Sequence, residues 1–447
     1  MRHVFSWIAV SLMIQGIATA AFGSATTMTL ESVINQMKPY EGKHISGVDP
    51  STLSGKILCG YQGWFSAPGD GAGLGWSHYA WNPHEFRTDK CVFDLWPDMA
   101  EMDPDEKFDT PYRHKDGSPA FVFSSYNRKT VLRHFRWMKQ YGIDGVFLQR
   151  FGVQLKNPQE MNHRNVVLAS VQAGANESGR AWALMYDLTD LQPGEIEKFV
   201  IEDWKRLKDR MKITQDKSYL HHNGKPVVAV WGIGFDDNRP YSLDECGKLI
   251  QFLKNDPQYG GNTVMAGVPT WWRDLKWDAV PDKKLHEVIL QADIVSPWMV
   301  GRYNSPDAAR KHVEEYVKQD LAWCRKNGKD YLPVVFPGFS WQNLKRCYGE
   351  DAPLNDIPRL KGRFMWTQAV SHIRTGADMI YIAMFDEINE STAIFKCSND
   401  PPVSECKFMT YEGLPSDHYL WLTGNIMRLL RKEIPVTDDP PERTQNK

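Results

Sequence analysis

Gly145-Val146-Phe147-Leu148-Gln149-Arg150-Phe151 is short, apolar on both faces and entered through a turn at Gly142-Ile143-Asp144. A strand of a parallel sheet covered on both sides reads this way. Just before it, Val131, Leu132, Phe135 and Met138 keep the spacing of one helix face. Seven further runs repeat the pattern: Lys56–Trp64, Ala181–Leu188, Pro226–Ile233, Thr263–Val268, Ile294–Val300, Tyr331–Phe336 and Met379–Phe385. Helical spacing recurs at Val313, Tyr316, Val317, Leu321 and Cys324, and again at Met365, Ala369 and Ile373. Strands alternating with helices form βαβ units. Eight of them predict an α/β fold, a (β/α)8 TIM barrel with a large loop insertion after the first strand. That insertion is Ser66–Arg128, with one strand-like run at Ala120–Tyr126. A doubly wound open sheet is the rival, but no G-x-G-x-x-G follows the first strand.

The predicted division is a signal peptide at 1–20, a single barrel domain at 21–435 and a disordered tail at 436–447. Arg2 and His3 precede the uncharged run Val4–Met13, and Ala18-Thr19-Ala20 fits a cleavage site. This predicts a periplasmic or secreted protein with no membrane span after cleavage. The 447 residues carry 53 Lys+Arg and 55 Asp+Glu, a net charge of −2 that lacks the basic footprint of a nucleic-acid binder. With 42% hydrophobic and 24% charged residues, a core is available and global disorder is excluded. A monomer is expected. In an oxidising compartment, seven cysteines leave at least one thiol free. Cys397 with Cys406 is the favoured disulfide, Cys324 with Cys347 a further pairing, and Cys59 a buried thiol.

Aromatic residues make up 12% of the chain, 17 of them Trp. An excess of this kind lines sites for flat, half-apolar ligands such as sugars, although aromatics also dominate cores. In a (β/α)8 barrel the site lies at the C-terminal ends of the strands. Reading just past each run yields Trp64, Gln149 and Arg150, Asp187, Trp231, Trp271, Trp298 and Arg302, Trp341, and then Asp386, Glu387 and Glu390. Three carboxylates within five residues of an apolar strand suit glycoside hydrolysis, which needs two carboxyls flanking one sugar. If the chain bends into one turn there, Glu387 and Glu390 face one cavity; a solvated acidic loop is the competing reading. Asp187 fits either a sugar hydroxyl or a turn, and Arg150 either a hydroxyl or a structural ion pair. No cofactor is expected. Asp103, Asp105 and Asp109 lack the Gly and terminal Glu of an EF-hand loop, and His221-His222 precedes the hairpin signal Asn223-Gly224. No H-E-x-x-H pattern supports a metallohydrolase.

Phe385-Asp386-Glu387-Ile388-Asn389-Glu390-Ser391-Thr392-Ala393-Ile394 resembles the F-N-E-W-H-E-G-T-Q-I motif of glycoside hydrolase family 99, the endo-α-mannosidases. Ser125-Tyr126-Asn127 through His134, Trp137, Met138 and Gly142-Ile143-Asp144-Gly145 is similar to that family's helix and strand before its first catalytic-face loop. Gly60-Tyr61-Gln62-Gly63-Trp64-Phe65 is similar to its first strand. The whole chain looks most like the bacterial family 71/99-like proteins. The resemblance implies a barrel that cleaves α-linked glycans with retention, an oligo- or polysaccharide being the partner. It also implies a substrate-assisted route through a 1,2-anhydro sugar, with Glu387 as base and Glu390 as acid, and Tyr61 in the pocket. Tyr61, Trp64, Arg150, Asp187, Trp271, Trp298, Trp341 and Asp386 are the expected substrate-binding residues. Asp386, Ile388, Asn389 and Ser391 depart from the motif. A glycan-binding barrel without turnover is the alternative.

Overall fold

The computed structural model describes residues 28–443. The signal-peptide segment lies outside the described residues. Nine parallel strands build the central sheet: β1 (Ile57–Tyr61), β2 (Gly145–Phe151), β3 (Ala181–Asp187), β4 (Lys225–Trp231), β5 (Thr263–Val268), β6 (Ile294–Pro297), β7 (Asp330–Tyr331), β8 (Val334–Val335) and β9 (Ile380–Ile382). Their spatial order is β7-β6-β5-β4-β3-β2-β1-β9-β8. The two ends of that path, β7 and β8, are pieces of one segment divided at Leu332-Pro333. Proline has no N–H to give a ladder. Leu332 N–H donates to Val295 O (2.9 Å), and Pro333 O accepts from Tyr381 N–H (3.0 Å), so this segment closes the ring between β6 and β9. All eight predicted runs contain or overlap a barrel strand, and the fold is a TIM barrel.

The helices follow the predicted faces. Arg128–Tyr141 buries Val131, Phe135 and Met138 and ends at Gly142 with φ +77°, a left-handed stop that glycine adopts freely. Arg363–Arg374 buries Met365 and Ala369. No helix among the described residues is long and apolar enough to cross a membrane.

The insertion after β1 holds an antiparallel ribbon, Phe108–Arg113 with Pro119–Val122. Only its second strand is marked in the sequence. Bridges Leu95–Met409, Pro97–Cys397 and Arg113–Val403 join the insertion to the chain after β9. Both segments leave the C-terminal ends of neighbouring strands, so together they cap one side of the catalytic-type face. Asp94, buried, ties the insertion to the loop after β8: its carboxylate accepts from Ser340 Oγ (2.5 Å), Gln342 N–H (2.7 Å) and Asn343 N–H (2.9 Å).

Of the tail expected to be disordered, residues 444–447 lie outside the described residues; within 436–443, Thr437 O accepts from Trp366 Nε1 (2.9 Å), and Arg443 clamps Asp417. The disulfide expectation is corrected here. The cysteines are all free thiols, Cys59 buried among them. Cys406 lies against Cys91, whose N–H points to its sulfur at 3.3 Å, and not against Cys397. The bridges between the insertion and the last loop decide this neighbourhood, and sequence spacing does not report them.

Candidate active site

Side chains of a barrel strand alternate between the inside and the surrounding helices. That alternation sorts the residues at the strand tips. On β2 and β3 the register pairs Arg150 with Tyr186 and Phe151 with Asp187, and on β3 and β4 it pairs Asp187 with Trp231. Paired residues of neighbouring parallel strands share a face. Phe151, Asp187 and Trp231 point inward; Arg150 and Tyr186 point outward.

The inward set lines a cavity of about 350 Å³ at the strand tips. Ligand pockets commonly span roughly 300–1,000 Å³. Its wall includes Gln62, Trp64, Gln149, Asp187, Trp231, Trp298, Arg302, Glu387 and Glu390. The acidic segment after β9 forms a turn at Ile388–Ser391. Glu387 is 2% exposed. Its Oε1 accepts from Asn389 N–H (2.6 Å) and Glu390 N–H (3.2 Å), and its Oε2 from Gln62 Nε2 (3.0 Å). Asn389 Nδ2 in turn donates to His78 O (2.8 Å) and Val92 O (2.9 Å), tying the turn to the insertion.

The electrostatics of the two glutamates are linked. Burial, then the charge of Glu390, raises the carboxyl of Glu387, while N–H donors from Glu390 and Asn389 pull it back; the net direction is upward. Burial raises Glu390 to about 7 against the opposing pull of Arg302. Two carboxyls so placed cannot both ionise freely, and they titrate as a pair. The N–H donors gathered on Glu387 oppose its protonation, and Arg302 opposes that of Glu390.

Trp64 supplies an aromatic wall, stacked on His78 at 3.9 Å and an interplanar angle of 7°. Its indole N–H has no hydrogen-bond partner. Trp298 stands edge-on to Trp231 at 5.6 Å. Asp187 is spoken for in part, since it accepts from Thr189 N–H at 2.8 Å.

Five expected contact residues lie elsewhere. Tyr61 is buried on the outward face, with its hydroxyl 2.8 Å from His134 Nδ1. Arg150, 1% exposed, forks onto Asp203 with two 2.6 Å hydrogen bonds and reaches Asn165 Oδ1 at 2.8 Å. Asp386 accepts from Gln62 N–H (2.7 Å) and Gly63 N–H (2.8 Å). It therefore positions the residue that holds Glu387, rather than a substrate. Tyr61 and Arg150 sit on the outward parity of their strands, and Asp386 lies past the end of β9. Trp271 and Trp341 line a second depression. Gln62, His78, Phe151, Glu160, Asp237 and Arg239 line the cavity and were not anticipated. Strict alternation from Tyr61 would have found Gln62. Nothing local marks His78, which arrives with the insertion.

Asp103, Asp105 and Glu106 lie close together, but Lys129 and Arg133 meet their charges. His221–His222 pairs with Lys225-Pro226 as a hairpin about Asn223 and Gly224 (φ +52° and +75°). His222 Nδ1 faces Leu53 N–H at 3.1 Å, a structural use.

The architecture so defined is a (β/α)8 barrel with an acidic, aromatic-walled cavity at its strand tips. In structure the chain is similar to a GH99 endo-α-mannosidase from Bacteroides thetaiotaomicron, with a TM-score of 0.60 and 15% identity over 85% of this chain and 99% of that one. The complex of that organism's GH99 endo-α-mannosidase with bis-tris-propane gives a TM-score of 0.57 at 16% identity, over 85% and 99%. A glycoside hydrolase-like protein gives 0.50 at 14% identity, over 87% and 97%. At these identities the likeness is one of fold. No family model matches the chain, and no curated protein matches it in sequence.

Proposed function

We propose that the protein is a glycoside hydrolase that cleaves α-linked glycans, mannan-like or related, with Glu387 and Glu390. The observation that carries this reading is that both carboxyls line one aromatic-walled cavity at the strand tips. The N–H donors on Glu387 hold its anion ready as a base. It takes the proton of the sugar 2-hydroxyl as that oxygen attacks the anomeric carbon. The glycosidic bond breaks, and its oxygen receives the proton of Glu390. The product is a 1,2-anhydro sugar. Water, deprotonated by Glu390, then opens the ring at the anomeric carbon while Glu387 returns the proton to O2. Two inversions retain the configuration.

The test is incubation of the protein with α-mannan, dextran and pullulan, followed by NMR of the first-formed reducing ends. Release of α-configured products from α-mannan is expected, because O2 of an α-mannoside lies trans to the leaving oxygen; cleavage of dextran or pullulan, whose O2 lies cis to it, would exclude this route. Binding without release would leave the turnover-free alternative, and β-configured products would exclude this route.

The protonated acid sets a pH dependence. A group needed in its protonated form supports the rate below its pKa and withdraws it above. With Glu390 near 7, kcat/KM should fall tenfold per unit above about pH 7. A profile flat to pH 9 would remove Glu390 from the role of acid. From the N-terminal pattern we also propose export, with action outside the cytoplasm.

A further inference from the structure

Beyond the glutamate cavity, on the loop after β5, Trp277 is 62% exposed, and it is the only tryptophan among the described residues to stand so far into solvent. Its backbone is left-handed, with φ +53°, which is uncommon for a bulky residue. The loop does not hold it there by accident. Asp278, the next residue, accepts from Thr270 N–H (3.0 Å) and Trp271 N–H (3.2 Å) and pairs with Arg302 at 2.6 Å. Trp277 meets Trp271 edge-on at 4.6 Å, and both rings stand 6.2 Å from Tyr316.

Trp271 and Tyr316, the two rings that Trp277 packs against, line a depression of about 370 Å³, whose wall also includes Trp341, His312 and Arg302. Arg302 also lines the glutamate cavity, so the two hollows share a wall. Flat rings with polar side chains beside them match a pyranose, whose C–H faces are apolar and whose hydroxyls lie at the edge. Asn304, Lys311 and Asp356 add polar groups at the same hollow.

We infer that the Trp277–Trp271–Tyr316 platform and its depression bind a sugar of the same glycan chain, beyond the residue held between the glutamates. This rests on the hydrolase reading, and it makes the preferred substrate a chain long enough to pass Arg302. A preformed platform lowers the ordering cost of binding.

The test uses Trp277→Ala and Trp277→Tyr in the full protein, on whichever of α-mannan, dextran and pullulan the parent cleaves. With Trp277→Ala, KM for the polysaccharide should rise about fivefold to tenfold relative to KM for a disaccharide-length substrate, as loss of one ring contact implies. Polysaccharide kcat should hold, and Trp277→Tyr should restore most of the loss. Retardation of Glu387→Gln in gels containing the same polysaccharide should weaken by the same factor when Trp277→Ala is added. If the parent cleaves and Trp277→Ala cleaves with unchanged KM, the platform falls and the hydrolase reading stands. If the parent cleaves nothing, yet its retardation is lost in Trp277→Ala, the platform stands and the hydrolase reading falls. No cleavage and no retardation in any of the three polysaccharides overturns both.

Discussion

Glu387→Gln is expected to lower kcat/KM by about 10³-fold, since a positioned acid or base contributes roughly 10² to 10⁴. The substitution keeps shape and volume. The Gln oxygen can still accept from Asn389 and Glu390 N–H. Its new amide hydrogens can be met by Gln62, whose Oε1 has no partner, if that amide turns over. The fold should therefore survive, and circular dichroism with glycan retardation in gels checks this. What is lost is the basic charge. Glu390→Gln should behave differently. On an α-glycosyl fluoride, whose leaving group needs no proton, Glu390→Gln should regain most of its kcat/KM, which reports the departure of fluoride, and Glu387→Gln should not. Activity of Glu387→Gln within tenfold of the parent would sink the assignment of this carboxylate as the base.

Arg150→Ala should cost about 3–5 kcal/mol of stability, the usual penalty for stranding one partner of a buried ion pair. Asp203 is fully buried and accepts from Arg150 Nε and Nη2 and from the Tyr186 hydroxyl at 2.7 Å. Without Arg150 the carboxylate faces the helix layer with only Tyr186 and no counter-charge. Replacing both members, as Arg150→Met with Asp203→Leu, should recover much of the loss because no charge remains to strand. Urea midpoints of the parent and the two variants measure this. Equal losses in the single and double variants would show that packing, not the uncompensated charge, sets the cost.

The motif departures have structural counterparts. Ser391 occupies the glycine position of the family 99 motif at φ +54°, in the left-handed region that glycine favours. Asn389, in place of His, braces the catalytic-type turn against the insertion. Asp386, in place of Asn, is buried, lies outside the cavity and is raised to about 6, chiefly by burial. The extra carboxylate thus acts on the backbone of Gln62 and Gly63 rather than on the substrate cavity.

Much of the fold was legible because its signals are local. A doubly covered strand must be apolar along its whole length, as in Gly145–Phe151, and an outer helix must show one apolar face, as at Val131 and Phe135. Position at a strand tip, also local, pointed to Glu387, Glu390, Asp187, Trp64 and Trp298, and all of them line the cavity. Facing was harder. Doubly covered strands are apolar on both sides, so composition does not reveal which of Gln149 and Arg150 turns inward. The register of the closed ring decides that.

The sequence by itself determined the alternation of strands and helices, the barrel class and the acidic turn after the last strand, because each depends on the periodicity of neighbouring residues. Only the tertiary structure decided that Tyr61, Arg150 and Asp386 serve the scaffold, that Gln62 holds Glu387, that His78 reaches the cavity from the insertion, and that Trp271 and Trp341 belong to a second hollow. Those outcomes depend on the handed closure of the sheet and on contacts between segments far apart in the chain, which no local pattern records.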